Sequence, residues 1–219
     1  MKPKSPFVQP FEALPNTLPI YVLENALLPG GELPLEMRTD VDLALFTLAL
    51  KTDQLIGMIQ PRQNDADHET FEIGCAGRIR QYRERKDGRL NVMLTGVCRY
   101  RLIDVSIKDD YRIARVDWSD YAHDYETESV DQAVIDAFKT TLRDYFDRHR
   151  MQVDWKVLDD RPIEEVVNNL VLVMNMDLES KQLLLEALTV KERLRLFAEL
   201  LGQKPDPIIT SVSESPRTN

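Results

Sequence analysis

The stretch Arg85-Lys86-Asp87-Gly88-Arg89-Leu90-Asn91-Val92-Met93-Leu94-Thr95-Gly96-Val97-Cys98-Arg99-Tyr100-Arg101-Leu102 decides the fold. Asp87-Gly88 supplies the positive φ angles of a tight hairpin turn between two alternating runs. Phe71 to Glu84 is therefore predicted to run antiparallel to Arg89–Leu94 and to the Val97–Val105 run beyond it. Further runs of strand length lie outward from this hairpin: Leu18–Leu23, Glu32–Met37, Leu55–Gln60 and Tyr111–Trp118. Gly, Pro and Asp punctuate them, the spacing of a mostly antiparallel β-domain.

One helix interrupts the strands, from about Asp40 to Lys51. Asp40 is its predicted cap, and Val41, Leu45 and Leu48 recur at helical spacing to make a buried stripe. After Glu128 the period turns helical. Ser129 and Gln132 read as a capping box, and Val134, Ala137, Phe138, Thr141, Leu142, Tyr145 and Phe146 share one face as far as about Arg150. Pro162 opens an apolar segment that reaches Met176. Leu183, Leu184, Leu185 and Leu188 mark a third helix; Thr189 and Glu192 box in a fourth, which stops near Gly202. The expected class is α+β: a flexible stretch 1–13, a β-domain 14–126, a helical bundle 127–202 and a disordered tail 203–219.

With 43% hydrophobic and 30% charged residues, the 219-residue chain can bury a real core. The net charge of -9 argues against a protein whose main task is to coat nucleic acid or an anionic membrane, without excluding a local basic patch. The opening Met1-Lys2-Pro3-Lys4-Ser5-Pro6 lacks an apolar leader, and Leu43–Leu50 is too short to span a bilayer. Two cysteines, Cys75 and Cys98, fit a reducing compartment and read as buried, inert thiols. Together these features predict a cytoplasmic protein without a membrane span.

No catalytic constellation emerges. The Lys51-Thr52 and Lys139-Thr140 pairs lack the glycines of a phosphate loop, and no serine sits on a glycine-flanked elbow. His68, His123 and His149 are too dispersed for a zinc helix, and Asp109-Asp110, Asp159-Asp160 and Glu164-Glu165 lie beside turns or in first helical turns. Neither a metal nor a cofactor is implied.

Two surfaces remain as candidates. Arg78, Arg80, Tyr82 and Arg83 belong to a basic hairpin that also carries Arg85, Lys86, Arg89, Arg99 and Arg101. By period 2, Arg78, Arg80 and Tyr82 share a strand face that could grip RNA backbone and stack bases; long arginine stems covering an exposed sheet give the same pattern. The second is the loop Asn25-Ala26-Leu27-Leu28-Pro29-Gly30-Gly31-Glu32-Leu33-Pro34. Leu27, Leu28, Pro29 and Leu33 either offer a greasy edge to extended peptide, as in strand addition, or turn inward to cap the sheet.

Taken in order, these segments resemble the amino-terminal domain of the ATP-dependent Lon protease. Leu18 to Leu35 resembles that family's opening, two short strands around a Phe-Pro-Gly turn, with Leu28 in place of the usual Phe. Leu55–Arg62, Phe71–Ile79 and Asp87–Leu102 resemble its following strands, and Lys181–Glu186 with Arg193-Leu194 resembles its last paired helices. The likeness runs from about Leu14 to Gly202. It implies a PUA-like β-domain followed by a helical bundle, in a region that recognises substrates while ATPase and Ser-Lys peptidase lie downstream. A free-standing, non-catalytic module is therefore expected, an adaptor or regulator of proteolysis. Its partners would be unfolded or extended polypeptide, together with a protease or chaperone; RNA binding is the alternative.

Overall fold

The computed structural model describes residues 9–62, 70–108 and 110–203. Strands β4 (Ile73–Glu84) and β5 (Leu90–Lys108) form the central hairpin. Arg85 N–H donates to Arg89 O at 2.8 Å, and Gly88 N–H to Arg85 O at 3.1 Å. In this turn only Gly88 takes a positive φ, +81°. The connection is thus a three-residue loop ending in a left-handed glycine, a departure from the two-residue Asp-Gly turn. Asp87 serves instead as an acceptor for Arg89 N–H, at 3.2 Å.

The break predicted after Leu94 does not occur. β5 continues for 19 residues, because its register with β4 slips by one between Ala76 and Gly77 and leaves Val97 bulged. Gly96 sits at that slip under a crossing backbone: a Cβ there would lie 2.0 Å from Leu28 O. The same crossing is sewn by Gly96 N–H to Gly31 O and Gly30 N–H to Gly96 O, both 2.9 Å.

The remaining strands are β1 (Thr17–Val22), β2 (Glu32–Met37), β3 (Leu55–Ile59) and β6 (Tyr111–Asp117). The order is β2-β5-β4-β3-β1-β6, and β5 also pairs with β6. Strands β5, β4, β3, β1 and β6 therefore close into a barrel, with β2 attached outside the ring along the first half of β5. The β1–β3 pairing is parallel; the pairings between the other named strands are antiparallel.

Helix α1 (Asp40–Lys51) is capped by Thr39, one residue before the predicted Asp40. Thr39 Oγ1 accepts from Asp42 N–H at 3.1 Å, and the Asp42 carboxylate accepts from Thr39 N–H at 3.0 Å. Leu45, Phe46 and Ala49 face the core, while Val41 in the first turn stays exposed. Helix α2 (Gln132–Arg148) starts from Asp131 without the Ser129 box; the Gln132 side chain donates to Asp136 instead. Its buried residues Phe138, Leu142, Tyr145 and Phe146 are those of the predicted face.

A short helix α3 (Trp155–Asp159), capped by Asp154, has no counterpart in the periodicity. Helix α4 (Ile163–Val173) follows Pro162 and ends short of Met176. Helix α5 (Leu178–Glu186) begins before its leucine cluster, because Asp177 accepts from Ser180 N–H at 2.7 Å. Helix α6 (Val190–Gln203) begins after Thr189, whose Oγ1 accepts from Glu192 N–H at 3.0 Å, and its last residue, Gln203, lies one past the expected stop at Gly202.

Within the stretch expected to be flexible, residues 9–13 are docked: Phe11 meets Tyr125 edge-on at 5.5 Å, and Gln9 O accepts from Tyr125 Oη at 3.0 Å. Residues 1–8 and the predicted tail beyond 203 lie outside the described residues, as does His68.

Barrel and helices share one hydrophobic cluster, and a buried polar seam joins them. Arg99, 1% exposed on β5, holds Asp124 through Nε at 3.1 Å and Nη2 at 2.7 Å. Its Nη1 donates to Leu185 O and Ala187 O, the carbonyls at the end of α5. Arg193 on α6, 2% exposed, reaches the same turn, donating to Leu184 O and Ala187 O and to Asn168 Oδ1 at 2.8 Å. Asn168 in turn donates to Pro29 O at 2.7 Å, and Gln60 and Gln182 link β3, α5 and β4 in the same way. Two guanidinium groups from different layers thus satisfy carbonyls that the helix end leaves open.

Lys181 closes the far end of the seam, its Nζ donating to Asn25 Oδ1 at 2.7 Å and to Leu172 O at the end of α4. Burial lowers its pKa to about 8. Burial also pulls on Arg99, but its bonds to Asp124 raise it overall; Arg193, desolvated beside the Arg99 charge, drops to about 10.

Removing one partner of a buried ion pair strands the other, so Asp124→Asn is expected to cost roughly 3–5 kcal/mol in urea unfolding. Replacing both partners, as Arg99→Met with Asp124→Leu, is expected to cost less; a loss under about 1 kcal/mol for Asp124→Asn would contradict a structural role for the pair. Lys181 gives a pH signature. Its folded pKa lies below its unfolded value, so its burial penalises the folded state at neutral pH. The penalty lifts as pH rises from about 8 toward the unfolded lysine value. Unfolding curves across that window are expected to show wild type gaining stability relative to Lys181→Met; a flat difference would refute it.

Candidate functional site

The loop offered as a greasy edge is interior. Leu27 and Leu28 are fully buried, Pro29 is buried with its carbonyl held by Asn168, and Leu33 faces the core from β2. Their side chains fill the junction of barrel and helices; the inward alternative is the one realised. They present nothing to a ligand.

The basic hairpin is likewise rearranged. Arg99 lies inside the seam. Arg101 pairs with Asp120 and Glu72, and Arg85 and Arg89 both reach Glu36 and Asp87. A second register slip, between Ile79 and Gln81, leaves Arg80 without a cross-strand partner and resets the alternation. Arg78, opposite Thr95, lines a concavity of about 230 Å³ with Gln9, Asp53 and Gln54. Tyr82 turns to the α1 side and meets Phe46 edge-on at 5.2 Å. Arg78, Arg80 and Tyr82 therefore do not share a face, and the base-stacking surface that would support RNA binding is not assembled.

What this rearrangement leaves is a groove of about 620 Å³ across three strands. Cross-strand register sets its floor in rows: Pro34, Met93 and Gln81; Leu35, Val92 and Tyr82; Glu36, Asn91 and Arg83. Leu35 and Val92 point into the core, so the first and third rows face outward by the pleat. Pro34 and Met93 supply an apolar floor. Arg83 and Arg85 form a cationic rim that continues into a second hollow of about 500 Å³ at the hairpin tip, lined also by Lys86 and Asn91.

Glu36 anchors one side, bonded by Arg38, Arg85 and Arg89. The bonds from Arg38 and Arg89 hold its carboxyl below the usual range. Of these floor residues the sequence singles out Tyr82 and Arg83, and Pro34 only as the end of the apolar loop. The signal of the others was the polar half of the Glu32–Met37 and Leu90–Leu94 alternation, which is informative only once the strands are known to be neighbours.

The outer edge of β2 is poorly suited to a further strand. Gly96 N–H bonds Gly31 O, so by alternation Leu33, Leu35 and Met37 bond to β5, and Glu32, Pro34 and Glu36 face the free edge. Glu32 N–H is taken by Asn169 Oδ1 at 3.1 Å, and Pro34 has no N–H. A second exposed apolar stripe, Ile103, Val105 and Ile107, runs along the far half of β5.

Among the described residues no group of three or more His, Cys, Asp or Glu side chains could hold a metal ion. Cys75 and Cys98 are buried on adjacent strands, and desolvation, with the Asp124 charge, pushes both thiols far above their usual range. No helix of the described residues is long and apolar enough to cross a membrane.

The family model of the ATP-dependent protease La (LON) substrate-binding domain matches residues 17–203. The chain belongs to that family. Among solved structures, this LON substrate-binding domain is similar to the N-terminal domain of the Mycobacterium avium complex Lon protease. There the TM-score is 0.65 at 17% identity, covering 85% of this chain and 98% of that one. It is also similar to a Lon N-terminal domain protein from Xanthomonas campestris, with TM-score 0.61 at 21% identity, covering 86% and 99%. These likenesses concern the fold.

Among curated relatives, Lon protease 2 of Myxococcus xanthus is 26% identical over 88% of this chain and 24% of its own length; Lon protease of Anaeromyxobacter dehalogenans is 23% identical over the same shares. The chain spans about a quarter of the length of these relatives.

Pro34 and Asn169 act together as guards of the β2 edge. Pro34→Val with Asn169→Ala is expected to produce concentration-dependent self-association, read by light scattering after size exclusion, while Pro34→Val alone does so less. A double variant that behaves like wild type at all concentrations would show that the edge is protected by something else.

Proposed function

We propose that this LON substrate-binding domain captures unfolded or extended polypeptide across the outer face of β2, β5 and β4, in the service of proteolysis as adaptor or regulator. The groove over Pro34, Met93 and Gln81 carries the reading. It is open and crosses three strands, and its floor mixes a thioether and a proline ring with amide groups. Methionine suits such a surface because its unbranched, polarizable side chain adapts to different partners. Family membership supports the class of ligand, and the buried Leu27–Leu33 loop supports the groove indirectly by holding β2 in place.

A photoreactive phenylalanine at Met93 is expected to crosslink a chemically denatured protein and to spare the same protein in its native state. The same probe at Ile107, on the other exposed apolar stripe, serves as the comparison. Crosslinking at Ile107 in preference to Met93 would move the binding surface to the far end of β5 and refute the groove.

A further inference from the structure

We infer that the polypeptide segment taken by this groove is acidic, with carboxylates flanking an apolar side chain, and that it is read through side chains and not by strand addition. The inference rests on the groove being the polypeptide-binding surface.

Arg83, Arg85 and Lys86 line the groove and its continuation with Glu36, Glu84 and Asp87, and Arg38 and Arg89, which bond Glu36, add two further cations. The surplus is a local reversal in a chain of net charge -9. The carboxylates present are largely occupied: Glu36 already serves Arg38, Arg85 and Arg89, and Asp87 lies within 3.6–3.7 Å of Arg85 and Arg89. Arg80, Arg83 and Lys86 have no ion-pair partner among the described residues, and all three are exposed. Arg83 leaves an acceptor-seeking guanidinium beside the Met93 and Pro34 floor, and Lys86 an ammonium in the adjoining tip hollow.

Backbone recognition is weak at the adjoining edge, since Asn169 occupies the Glu32 N–H and Pro34 has none to give. A captured segment is therefore selected by what its side chains carry. Elsewhere on the domain a net negative surface repels an acidic chain, so the local cationic rim both attracts it and fixes where it lands.

Three labelled peptides with one central phenylalanine, flanked by glutamate, glutamine or lysine, test this by anisotropy titration against the full chain at low and high salt. The glutamate-flanked peptide is expected to bind tightest, by on the order of tenfold over the glutamine-flanked one for two or three exposed pairs. High salt is expected to erase the difference. Arg83→Glu with Lys86→Glu is expected to invert the preference. Both residues are exposed and without ion-pair partners, and a thermal melt coincident with wild type shows that the variant is folded.

Equal binding of the three peptides, tighter binding of the lysine-flanked one, or displacement of the glutamate-flanked peptide by oligouridylate as readily as by its unlabelled self would overturn the acidic preference. The polypeptide reading would survive the first two of these. Failure of all three peptides, together with no crosslinking of denatured protein at Met93, would remove that reading and the acidic preference with it.

Discussion

The architecture hangs on what becomes of the last carbonyls of α5. Helix ends leave carbonyl oxygens unsatisfied, and this one is buried against a barrel where water cannot serve. Arg99 from β5 and Arg193 from α6 supply donors from two sides, and Asp124, from the turn after β6, neutralises the first of them. A buried arginine pair without a carboxylate would be ruinous; with one, it becomes a joint of fixed geometry. Asn168 then carries the constraint from Arg193 to Pro29, and so to the loop that leads into β2. The position of β2, and of the groove that needs it, is thus set from inside the helical layer.

This joint fixes how the barrel and the helical layer meet within the hydrophobic cluster they share. Polar groups with single solutions specify one docking of the layers, where aliphatic contacts alone would tolerate several. Gly96 belongs to the same logic from the steric side. The Leu28 carbonyl passes so close to its Cα that a methyl group would force barrel and loop apart.

Much of this fold was legible in the sequence, and the exceptions have physical causes. The hairpin announced itself through Asp87-Gly88, and the Glu32–Met37 alternation gave a strand whose bounds agree with those observed. Local turn chemistry and period-2 burial are sequence-near effects. Arg99 was illegible because its partners are remote: Asp124 lies in a 3-10 turn, and Leu185 and Ala187 come from another layer. Strand parity groups it with Arg101, which is half-buried and paired near the surface. The bulges defeated the face assignment of Arg78, Arg80 and Tyr82 in the same way, since a one-residue slip sends every later side chain to the opposite face.

The groove shows what such a slip accomplishes. Without the irregularity between Ile79 and Gln81, the alternation set by Arg78 would keep Arg80 and Tyr82 on its face and send Gln81 and Arg83 to the other. With it, Tyr82 closes over Phe46 at the margin of α1, and Arg83 stands beside Asn91 on the outer surface. The edge strand that completes the groove is poorly equipped to recruit another strand, because Pro34 and Asn169 remove two of its three outward donors. An open sheet face can then remain exposed beside a strand edge with less of the usual hazard of edge-to-edge association. Exposure of this face and protection of its edge are therefore linked features of the same strand.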